Sequence, residues 1–132
     1  MGTYSSVHIM CESNAFEMFE KVLAFNESRY YQISRSKSNP AVYLISWDWI
    51  KWNSWAPLVH DFEEIMSELY ENHNSEEGYI FHFIRVGEDN QTEEKYNGQD
   101  YTNYFPDFEV IISVCIPDDM EIIKGEKSDQ KK

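Results

Sequence analysis

Basic residues are scarce in this chain: 11 Lys and Arg stand against 24 Asp and Glu, a formal charge of −13. That balance argues against direct binding of nucleic acid or of an anionic lipid surface, because phosphates attract cations and repel carboxylates. Glycine is scarce too, and five residues leave little room for a glycine-rich phosphate cradle. The two cysteines, Cys11 and Cys115, each sit among alternating apolar residues, where a free thiol behaves as a small buried hydrophobe; they are read as buried thiols in preference to a disulfide. Of the four histidines, His8, His60, His73 and His82, no two have the His-x-x-x-His spacing of metal ligands, so no metal site is expected. Nucleophile elbows and Cys–His arrangements are absent as well, and neither a catalytic residue nor a cofactor is expected. No apolar run approaches a membrane span and no signal-peptide series is recognisable, so the expected location is the cytoplasm.

What is present is enough for one folded domain. The 132 residues suit a single core, and four Trp, nine Tyr and eight Phe supply large side chains that a disordered polar chain lacks. Ser5 to Glu12 alternates with period two and predicts a strand. Asn14 followed by Glu17 resembles a capping box, and Phe16, Phe19 and Leu23 then mark a helix of about three turns. Tyr30 to Arg35 and Ala41 to Trp52 read as strands joined through the turn chemistry of Ser36 to Pro40, which predicts a β-hairpin. Ser54 is a candidate cap for a second helix, with Pro57 in its first turn and Leu58, Phe62, Ile65 and Leu69 at helical spacing. Tyr79 to Val86 and Phe108 to Ile116 predict two further strands, with a long polar loop over 87–107 between them. The domain is expected over 1–123, with a disordered charged tail over 124–132.

The order β-α-β-β-α-β-β predicts an α+β fold: a ferredoxin-like split βαβ unit with an additional C-terminal strand, an antiparallel-rich sheet and both helices on one face. The opposite face is left either wet or as a binding surface. Strict alternation along Ala41–Trp52 puts Trp47 and Trp49 together in the core and turns Trp52 to the other side. Trp52 and Trp55, at the junction with the second helix, are therefore candidate aromatic anchors of an interface.

The charge is unevenly spread. Residues 1–60 are balanced, whereas residues 61–109 hold fourteen acids against Arg85 and Lys95 alone. Glu64, Glu68 and Glu71 recur on the wet side of the second helix, and Glu88, Asp89, Glu93, Glu94 and Asp100 follow in the 87–107 segment. Arg85 is expected to pair with Glu88 and Asp89 across the turn at Gly87. Together these carboxylates form the candidate partner-binding surface, spaced like phosphates and suited to a basic protein that otherwise holds nucleic acid.

The stretch Phe83-Ile84-Arg85-Val86-Gly87-Glu88-Asp89, preceded by Trp49-Ile50-Lys51-Trp52 and a short acidic helix, resembles small phage-encoded proteins with a strand ending in an Arg-x-Gly-Glu-Asp turn. The resemblance covers about residues 47–98. It implies an accessory protein of phage or prophage, some of which act by blocking host defence enzymes.

These features lead to the expectation of a small binding protein, not an enzyme, that inhibits a nucleic-acid-handling partner. An immunity protein against a toxin nuclease would use the same electrostatics. Two other readings remain open: a small enzyme built on His8 or His82 with a carboxylate, and a homodimeric accessory protein joined through its aromatic strand face.

Overall fold

The computed structural model describes residues 4–26, 31–37, 39–53, 55–74, 76–87, 92–97 and 120–124. Its elements run β1 (Tyr4–Glu12), α1 (Ser13–Phe25), β2 (Gln32–Ser36), β3 (Val42–Lys51), α2 (Pro57–Asn72), β4 (Phe81–Gly87), β5 (Thr92–Tyr96) and β6 (Met120–Lys124). The strands form one sheet in the order β5-β4-β1-β3-β2-β6, antiparallel at every pairing. The fold is α+β, with six strands among the described residues where sequence periodicity gives five. The strand expected over Phe108–Ile116 lies outside the described residues; of the tail expected over 124–132, Lys124 ends β6 and the rest lies outside them too.

Period-two alternation sends Val7, Ile9 and Cys11 of β1 to one face, where Ile33, Ile45, Trp47, Phe81 and Phe83 join them. Both helices cover that face, and their buried stripes are Ala15, Phe16, Phe19 and Leu23 in α1 and Val59, Phe62, Met66 and Leu69 in α2. Phe62 is the hub: its ring lies 5.1 Å from Phe19, 5.5 Å from Trp47 and 6.0 Å from Trp52. Burying one such side chain contributes roughly 1.5–3 kcal/mol. Relative to expectation the α2 stripe is rotated, because Leu58 and Ile65 are only half-buried beside this core.

The opposite face is not wet. Met10, Val42, Leu44, Ile80 and Ile84 form a second buried cluster there, with His8, Ser34, Ser46 and His82 buried as well.

Three local expectations are corrected. The N-cap of α1 is Glu12, without a side-chain cap, in place of Asn14; Glu12 Oε1 instead accepts hydrogen bonds from the backbone N–H groups of Gly78 (2.7 Å) and Ile80 (3.3 Å). Helix α2 starts at Pro57 with Ala56 as its N-cap, and Ser54 lies outside the described residues. The expected loop over 87–107 contains β5, which pairs with β4 from Val86↔Thr92 to His82↔Tyr96.

Asn97 locks the end of β5. Its Oδ1 accepts from the Phe81 N–H at 2.8 Å, and its Nδ2 donates to the carbonyls of Tyr79 at 2.9 Å and Leu69 at 3.4 Å. This buried amide ties the last turn of α2 to β4 and β5, which fixes the spacing between helix and strand. No helix among the described residues is long and apolar enough to cross a membrane.

Candidate functional site

A groove of about 520 Å³ opens where α2 lies beside β5. The helix wall is a stripe at three- and four-residue spacing that includes Glu63, Ser67, Tyr70 and Glu71. Glu94, Lys95 and Tyr96 form the strand wall, and the buried side chains of Met66 and Phe81 close the floor. A second, shallower groove of about 510 Å³ continues along the outer side of α2 past Glu64, Glu68 and Glu71. Three of the expected partner-binding carboxylates, Glu64, Glu68 and Glu71, are thus exposed along one ridge, whereas the Glu94 carboxylate is turned to the sheet face away from the helices, beside His82.

The nearby cations are engaged within the chain. Arg85 donates from Nε to Glu93 Oε1 at 2.9 Å and from an Nη to Ser5 Oγ at 3.1 Å. Lys95 Nζ sits 3.5 Å from Glu93 Oε2 and 3.9 Å from Glu63 Oε2. Arg85 therefore pairs across the β4–β5 ladder, where Arg85 stands opposite Glu93. Glu88, Asp89 and Asp100 lie outside the described residues. Glu93 is a structural carboxylate holding both cations, in place of the outward contact expected of it.

Glu94 is held differently. Its Oε2 lies 2.5 Å from His82 Nε2, and the His82 ring is 1% exposed. Tyr96 meets that ring edge-on at 5.6 Å. A buried imidazole on the sheet face away from the helices thus holds both side chains there.

The two candidate aromatic anchors separate. Trp55 is 82% exposed, but it lines neither groove. Trp52 is buried among Trp47, Phe62 and Phe83, which corrects its assignment as an anchor. The cause is a β-bulge: Val7 pairs with Trp47 but Ser5 with Ile50, so β3 carries an extra residue and its alternation flips. Trp47 is core as expected, while the side chain of Trp49 lies outside the described residues.

Among the described residues, His8, His82 and Cys11 are buried. His8 Nδ1 is 3.2 Å from Ser46 Oγ, and burial holds the imidazole below its ordinary pKa despite the opposing charge of Asp48. Burial, reinforced by the charge of Glu12, pushes the Cys11 thiol far up, so it stays protonated and unreactive. His82 does meet a carboxylate, yet neither it nor His8 lines either groove. Ligand atoms of His60, Asp61 and Glu64 fall within 4.8 Å of one another. Packing accounts for these contacts: Asp61 Oδ2 accepts from Asn26 Nδ2 at 3.1 Å, and His60 pairs with Glu64 at 3.0 Å one helical turn on.

Sequence reasoning missed Tyr70 and Tyr96 as residues lining the groove. Tyr70 follows the buried Leu69 and carries no sequence signal of its own, and Tyr96 belongs to a strand too polar to show an apolar alternation. No protein-family model, curated protein or solved structure matches the chain.

Proposed function

We propose that this chain is a small acidic binding protein that blocks the basic, nucleic-acid-binding surface of a partner enzyme. Its resemblance to phage-encoded accessory proteins makes a host defence enzyme the proposed partner and the host cytoplasm the proposed location. The observation that carries the reading is the row of exposed carboxylates Glu64, Glu68 and Glu71 along α2, while Arg85 and Lys95 are engaged by Glu93 and Glu63. A surface of this kind presents uncompensated negative charge to Lys and Arg side chains that otherwise hold phosphates, and competes with nucleic acid by the same electrostatics.

We also read the scaffold as ferredoxin-like. The element order through β4 and the inner strand order β4-β1-β3-β2 support that reading. The scaffold does not itself specify the function.

The test is affinity capture from a host lysate at low and moderate salt, using the native chain and a variant with Glu64, Glu68 and Glu71 changed to Gln. The proposal expects a nucleic-acid-binding enzyme that the native chain retains, the variant loses and added nucleic acid elutes. Equal retention by both forms would show the acidic ridge to be a solvated surface only.

A further inference from the structure

We draw no further inference here: the strongest candidate, the sheet face away from the helices, where Met10, Leu44, Ile80 and Ile84 are buried beside His8 and His82, carries nothing because nothing among the described residues shows what covers it.

Discussion

His82 Nε2 lies 2.5 Å from Glu94 Oε2, joining a buried ring of β4 to an exposed carboxylate of β5. The ladder pairs His82 with Tyr96 and Ile84 with Glu94, so the two residues are diagonal neighbours on one face of the sheet. Removing the carboxylate strips a buried ring nitrogen of its partner. Glu94→Ala is therefore expected to destabilise the fold by about 1–3 kcal/mol, and Glu68→Ala, on the exposed side of α2, by no more than about 0.5 kcal/mol. Urea denaturation of the two variants checks the contrast.

The two tryptophans beside α2 should respond oppositely to truncation. Trp52→Ala opens a cavity among Trp47, Phe62 and Phe83 and is expected to cost about 3–5 kcal/mol. Trp55→Ala removes an indole that is 82% exposed and is expected to change stability by no more than about 0.5 kcal/mol. Thermal denaturation followed by circular dichroism distinguishes them, and equal losses would contradict the bulge that turns Trp52 inward.

Gly78 adopts φ +91°, and a Cβ there would stand 2.6 Å from Asn14 Nδ2. Its N–H also binds Glu12 and its carbonyl accepts from the Ala15 N–H, so the turn clamps the start of α1. Gly78→Ala is expected to destabilise by about 1–3 kcal/mol. Adding Asn14→Gly relieves the contact but not the left-handed backbone, so chemical denaturation should show a partial recovery. Full recovery would show that backbone strain is negligible there.

Protonation of His8 should weaken the fold in mild acid. Burial lowers its folded pKa below the ordinary 6.5, with Asp48 opposing. The unfolded chain then binds the proton first as pH falls, so this contribution to stability is complete above 6.5 and declines below it until the folded pKa is reached. Urea midpoints of the native chain and of His8→Gln, measured from neutral pH down through that window, should differ in slope, with the native chain losing more. Parallel slopes would contradict the buried neutral imidazole.

Much of this architecture is legible in the sequence because it rests on periodicity. Alternation locates β1 and most of β3, and the three- and four-residue spacing of Phe16, Phe19 and Leu23 marks α1. The acids Glu64, Glu68 and Glu71 fall on the outer side of α2 by the same rule. Strand β5 escapes because Thr92–Tyr96 is polar on both faces; its pairing shows only once Arg85 and His82 supply partners for Glu93 and Glu94. Trp52 is misplaced by any strict alternation, since one extra residue in β3 reverses the count. The groove is tertiary in origin: the tie that Asn97 makes between α2, β4 and β5 sets the α2 stripe of Glu63, Ser67 and Glu71 beside the edge strand.

The most direct test is a competition measurement with one purified nucleic-acid-binding enzyme captured by the chain. Its affinity for the native protein is measured at several salt concentrations with increasing amounts of its own nucleic acid. Simple competition, in which nucleic acid and protein exclude one another and both affinities fall steeply with salt, is the expected result. A ternary complex holding enzyme, nucleic acid and this chain together would contradict the acidic ridge as the inhibitory surface.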